Sequence, residues 1–170
     1  MPRHATSTLV PYRPQQMFDL VSDVERYPEF IPWCRALRVV SRDADGEDEI
    51  VIADMMVGYR MFRETFRSKV RLNRSKLRID TDYVRGPLRD LKNLWMFEDH
   101  EWTEAAGETQ RTQSENGAIV HFAVSFTLRN PILQRAAVAA FDESFARMSE
   151  AFVDRAASIY GMPEQAASQG

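Results

Sequence analysis

Apolar and polar residues alternate with a period of two through the middle of the chain. Phe62, Phe66, Val70 and Leu72 share one parity, while Arg63, Thr65, Arg67, Lys69 and Arg71 share the other. A strand turns successive side chains to opposite faces, so the pattern predicts a sheet with one buried side and one wet, basic side. Residues 76–84 repeat it, with Leu77, Ile79, Thr81 and Tyr83 inward and Lys76, Arg78, Asp80 and Asp82 outward. Leu91–Glu98 sets Trp95 and Phe97 against Leu94 and Met96, and Val120, Phe122, Val124, Phe126 and Leu128 form a last alternating strand. Further strands are predicted over Ser7–Tyr12, Leu37–Ser41 and 48–57. Gly58-Tyr59 suits a two-residue type II′ turn. That register pairs Val57 with Arg60, Met55 with Phe62, Ala53 with Glu64 and Val51 with Phe66, and sets Asp54 opposite Arg63 on the outer face.

Two stretches follow a helical period instead. Pro14 can open a helix, and Met17, Phe18, Val21 and Val24 recur at helical spacing over 14–24. Tyr27-Pro28-Glu29-Phe30-Ile31-Pro32-Trp33-Cys34 then reads as a short helical corner, since two prolines four apart stop a longer helix. Asn130-Pro131 caps and starts a long helix in which Val138, Phe141, Phe145, Met148, Phe152, Ala156 and Ile159 follow at steps of three and four. Gly161 and Pro163 close it. About thirty residues make a rod of roughly 45 Å, enough to cross a small sheet. The expected fold class is α+β: a strand, two short helices, six more antiparallel strands and a long C-terminal helix. Residues 1–161 form one domain and 162–170 a loose tail.

Composition narrows the classes. An apolar share of 44% with 28% charged residues argues against disorder. No apolar run is long enough to span a bilayer. Residues 1–8 lack a stretch of signal-peptide length, and the single cysteine, Cys34, allows no internal disulfide. The expected location is the cytoplasm. Charge is unevenly placed: residues 60–92 hold eleven Lys/Arg against four acids, a local +7 in a chain whose total is −3. Such a face meets anionic lipid or RNA, or is simply a solvated sheet surface; charge alone does not choose.

Chemistry-bearing patterns are scarce. His4, His100 and His121 lie far apart with no Cys or His at metal-ligand spacing, and no glycine-rich phosphate loop occurs. Cys34 beside Trp33 reads as a packed thiol. The inward aromatic rows carry more meaning, because a curved sheet cannot close on a straight helix along its whole length. The expectation is an apolar hollow bounded by the proline corner and suited to a flat, polyisoprenoid-like guest. Glu64 falls inward between Phe62 and Phe66, where a lone carboxylate is costly. It is satisfied by an ion pair, rotated outward by a bulge, or faces a pocket.

Met17-Phe18-Asp19-Leu20-Val21-Ser22-Asp23-Val24-Glu25-Arg26-Tyr27-Pro28-Glu29-Phe30-Ile31-Pro32-Trp33-Cys34 resembles the opening motif of the coenzyme Q-binding START-like family, which includes bacterial ribosome-association toxins. Gly86-Pro87-Leu88 with Leu91 and Trp95-Met96-Phe97 resembles its second motif. Val124-Ser125-Phe126 with Asn130-Pro131, and Phe152-Val153-Asp154-Arg155-Ala156 with Tyr160-Gly161, resemble its last. Arg85 and Leu88 depart from it, where an acid and Phe are usual. The resemblance implies a helix-grip fold around a hydrophobic tunnel. It implies non-catalytic binding of ubiquinone or a related isoprenoid lipid in support of respiration or quinone biosynthesis, with ubiquinone as ligand and no catalytic cofactor or metal. Phe30, Pro32, Trp95 and Phe97 are carried over as pocket or mouth, and the inward rows add Phe62, Phe66, Phe126, Phe141, Phe145 and Met148. Arg63, Arg67, Lys69 and Arg71 form the surface expected to meet an anionic membrane peripherally. A second reading sets that surface against the ribosome, with no DNA partner. A third is a cyclase-type enzyme using Glu64 or Tyr83 as acid or base.

Overall fold

The computed structural model describes residues 3–59, 62–102 and 115–161, with side chains at all of these except Tyr59, Phe62, Trp102, Glu115, Asn116 and 139–146. Strand β1 (Arg3–Val10) leads to helix α1 (Pro14–Ser22), a 3₁₀ turn (Val24–Arg26) and the one-turn helix α2 (Tyr27–Phe30). Six strands follow: β2 (Cys34–Asp45), β3 (Asp48–Tyr59), β4 (Phe62–Asn73), β5 (Arg78–Arg85), β6 (Leu88–Trp102) and β7 (Glu115–Leu128). Helix α3 (Pro131–Tyr160) ends the fold. The strands form one antiparallel sheet in the order β1-β7-β6-β5-β4-β3-β2, so β1 and β2 are its edges. This is the α+β arrangement expected from the sequence. The main boundary differences are β1, which begins four residues earlier, and β2, which runs well beyond Leu37–Ser41.

Local chemistry sets the ends of the helices. The Asn130 side-chain oxygen accepts from the Ile132 and Leu133 amides at 2.9 and 3.3 Å, and Pro131 needs no such partner. Gly161, with φ +82°, ends the helix where a side chain would be strained. The Tyr160 hydroxyl donates to the Gln16 carbonyl at 2.9 Å, tying the end of α3 to α1. The Tyr27 hydroxyl likewise donates to the Val21 carbonyl.

The β3–β4 hairpin corrects the predicted register. Tyr59 pairs with Phe62, Val57 with Glu64, Met55 with Phe66 and Asp54 with Arg67; the connection falls on residues 60–61, outside the described residues. Sliding a strand by an even number leaves every side chain on its face, so burial cannot distinguish the two registers. The outer face can. Arg67 grips Asp54 in a fork, Nε to Oδ1 at 2.7 Å and Nη2 to Oδ2 at 2.9 Å, a pairing Arg63 was expected to make. Gly58 lies within β3 beneath Arg35, whose Nε would stand 2.8 Å from a Cβ there.

Candidate ligand-binding site

Burial on the inner face fades along the sheet from one end, although Leu88 and Leu128, at the far end of the β6–β7 pair, are again buried. Val51 and Ala53 of β3 are buried, while Met55 and Val57 on the same face are only part-buried. β4 runs the other way and repeats the gradient: Leu72, Val70 and Ser68 are buried, Phe66 and Glu64 are not. Ile79 gives way to Thr81 and Tyr83 on β5, and Phe122 to Val124 and Phe126 on β7. On α3, Met148, Phe152 and Ala156 are buried, whereas Val138 and Ile132 are 42% and 79% exposed. Among the described side chains of α3, full burial is confined to its C-terminal half.

The closed end is an aromatic stack. Trp95 lies 4.3 Å from Phe122 and 5.0 Å from Phe152 between ring centroids, and Phe30 lies 5.1 Å from Phe152. Phe18 meets Phe97 edge-on at 6.0 Å. Arg155 covers the Phe30 ring and pairs with Glu29 at 2.9 Å. Hydrogen bonds from Arg26 and Arg155 hold the Glu29 carboxyl below the usual carboxylate range.

Three segments frame the open end. The Trp33 carbonyl accepts from the Gly58 amide at 2.9 Å, which brings the proline corner to the end of β3. Gly86 (φ +144°) presses the β5–β6 turn onto Phe66, whose Cβ would be 2.8 Å from a Cβ at 86. The Tyr83 hydroxyl accepts from the Leu88 amide at 3.1 Å and pins the same turn. Glu64 stands inward opposite Val57, part-buried. It has neither an ion pair nor a hydrogen bond among the described residues, and it stays on the inner face instead of being rotated outward by a bulge.

The structure divides the residues singled out by sequence. Phe66 and Phe126 face the open half. Trp95, Phe97, Phe30 and Met148 belong to the packed end, and Pro32 is exposed on the corner. The side chains of Phe62, Phe141 and Phe145 lie outside the described residues. Sequence reading passed over Ser68 and Asn93, although both interrupt apolar inward rows, Phe66–Val70 and Leu91–Trp95. That interruption was the available signal. The Cys34 thiol is buried, and burial pushes its pKa up to about 11, the opposite of an activated nucleophile.

The outer face needs a second correction. Arg67 is spent on Asp54, and Arg71 on Asp48 and Asp45 at 2.7 and 3.2 Å. Arg67 lowers the Asp54 carboxyl, and Arg71 lowers that of Asp48. Of the four cations assigned to this surface, Arg63 and Lys69 are exposed and without ion pairs among the described residues. Across the sheet, a shallow outer groove of about 280 Å³ is lined by Ala5, Thr6, Ser7, Leu94, His121, Phe122 and Ala123. There His121 bridges Ser7 Oγ at 2.8 Å and Glu98 at 3.0 Å. Among the described residues no cluster of His, Cys, Asp and Glu could hold a metal, and no helix is long and apolar enough to cross a membrane.

Known proteins resemble this chain over most of its length. Residues 10–153 match a family described as polyketide cyclase/dehydrase and lipid transport. A ribosome association toxin of Rickettsia prowazekii is 28% identical over 89% of this chain and 93% of its own. A mitochondrial coenzyme Q-binding protein of Schizosaccharomyces pombe is 34% identical over 56% of this chain and 58% of its own. The solution structure of an 18 kDa protein from Caulobacter crescentus superposes with a TM-score of 0.73 at 30% identity, covering 95% of this chain and 100% of that one.

Proposed function

Because the chain belongs to the polyketide cyclase/dehydrase and lipid-transport family, we propose that it holds ubiquinone or a related isoprenoid lipid, without catalysis, between its sheet and the N-terminal half of α3. The observation that carries this reading is the fading burial of inward side chains from Trp95 and Phe122 to Met55, Phe66 and Phe126. A row of apolar side chains on the concave face that still reaches solvent is what a lipid pocket provides. The relative named for coenzyme Q binding supports a quinone as guest. With Arg67 and Arg71 neutralised, membrane contact rests on few cations at about 1 kcal/mol each, which suits brief visits to collect or deliver a ligand.

Mass spectrometry of a solvent extract of purified protein tests the idea. A co-purifying isoprenoid quinone is expected, together with saturable quenching of Trp33 and Trp95 fluorescence by decylubiquinone. A ligand-free extract and flat titrations would overturn it.

Relatives matched over most of their length carry ribosome association in their names, and this favours a second reading. In it the exposed Arg63 and Lys69 contact ribosomal RNA. Co-sedimentation with ribosomes at physiological salt, abolished by the double variant Arg63→Glu/Lys69→Glu, would put this reading first if no lipid is found.

A further inference from the structure

Four polar side chains stand together at the centre of the inner face. Ser68 lies opposite Tyr83 across β4–β5, and Thr81 lies opposite Asn93 across β5–β6. Thr81 and Tyr83 are two residues apart on β5. With strands about 4.8 Å apart and about 6.7 Å between alternate residues, the four cover a patch close to the size of one substituted aromatic ring. Bulky apolar residues flank it on both sides: Ile79 and Trp95 toward the closed end, Met55 and Phe66 toward the mouth.

The hydrogen-bond accounting at this patch is incomplete. Ser68 is 5% exposed and is the one buried polar residue among those described. Its hydroxyl has no partner among them. Yet no side-chain nitrogen or oxygen described as fully sealed lacks a partner. The Ser68 hydroxyl therefore borders space that a water molecule can reach. The Thr81 hydroxyl is likewise unpartnered among the described residues. Tyr83 accepts from the Leu88 amide and keeps its own proton to give. Asn93 donates one N–H to the Ala123 carbonyl at 3.0 Å and keeps a second. Unsatisfied groups in such a setting are costly, and a ligand that accepts their protons removes the cost.

We propose that Ser68, Thr81, Tyr83 and Asn93 form the head-group site of the hollow, so that the guest enters head first and its hydrocarbon tail lies toward the mouth. This rests on the lipid-binding reading above and narrows its ligand class. Hydroxyl and amide donors match a flat ring bearing carbonyl or ether oxygens, which only accept. Glu64, about 13 Å nearer the mouth along β4, places a negative charge on the entry path. A carboxylate head, as in a fatty acid, is therefore disfavoured by like-charge repulsion.

Decylubiquinone and decylbenzene share a tail and differ in ring oxygens, so their affinity ratio, measured by competitive titration, reads the head-group site directly. The wild-type protein is expected to prefer decylubiquinone by about tenfold or more, the worth of one or two hydrogen bonds. Thr81→Val, which keeps side-chain shape, should cut that preference severalfold. Ser68→Ala/Thr81→Val should cut it further, weakening decylubiquinone and tightening decylbenzene, which leaves those two hydroxyls unpaired in the wild type. Laurate should bind weakly to the wild type and more tightly to Glu64→Gln. If the wild type binds both ring compounds and every variant keeps the same ratio, the head lies elsewhere and this assignment falls while lipid binding stands. If the wild type binds neither, the lipid-binding reading itself falls.

Discussion

Cys34 sits in the proline corner, in a position where sequence alone leaves room for a nucleophile. Burial removes that option, because a thiolate there would be stranded in an apolar setting, and the thiol pKa rises to about 11. Iodoacetamide at pH 8 is expected to leave the native protein unlabelled over minutes and to label it fully in denaturant. Rapid native labelling would show that the thiol is accessible and ionised after all. Gly86 makes a different point at the same scale. Its motif, Gly-Pro, is visible in the sequence, but its reason is the close approach to Phe66, a contact between residues twenty apart. Ser68 and Asn93 went unread for a related cause. A hydroxyl or amide in one apolar row looks like an isolated exception, and only three strands laid side by side turn the exceptions into a patch.

Among elements, the β3–β4 hairpin separates what periodicity supplies from what it cannot. Alternation assigned the β4 residues it named to their correct faces, since Phe66, Val70 and Leu72 are inward and Arg67, Lys69 and Arg71 outward. It could not fix the pairing, because a slip by an even number of residues preserves both faces. The Asp54–Arg67 fork distinguishes the registers experimentally. A double-mutant cycle with Asp54→Asn and Arg67→Gln, read by urea unfolding, should give a favourable coupling for this forked, partly exposed pair. The matching cycle between Asp54 and Arg63 should give none. A reversed result would restore the tighter hairpin. Asn130→Ala should likewise destabilise by about 1 kcal/mol, as loss of a side chain holding two amides implies; an unchanged urea midpoint would count against the cap.

For the whole molecule, the paired carboxyls predict how stability depends on acidity. Asp54, Asp48 and Glu29 all titrate below their unfolded value near 4. Their contribution is complete above that value and is lost as pH falls through it toward the folded values, where the unfolded chain takes up more protons than the native one. Urea midpoints should therefore drop between pH 5 and pH 3, and Asp54→Asn should flatten the decline. An unchanged midpoint over that interval would mean the pairs are broken in solution. The succession of antiparallel strands was legible from alternation and the long helix from its spacing, but the pairing of β1 with β7 was not, because no hairpin joins those two strands. The two edges of the sheet carry one more consequence. β1 is only eight residues long, and β2 is bent by two pairing irregularities, at Cys34/Ala36 and Val39/Ser41. Neither margin offers a long straight ladder to another copy, so concentrated solutions should stay dispersed instead of growing fibres.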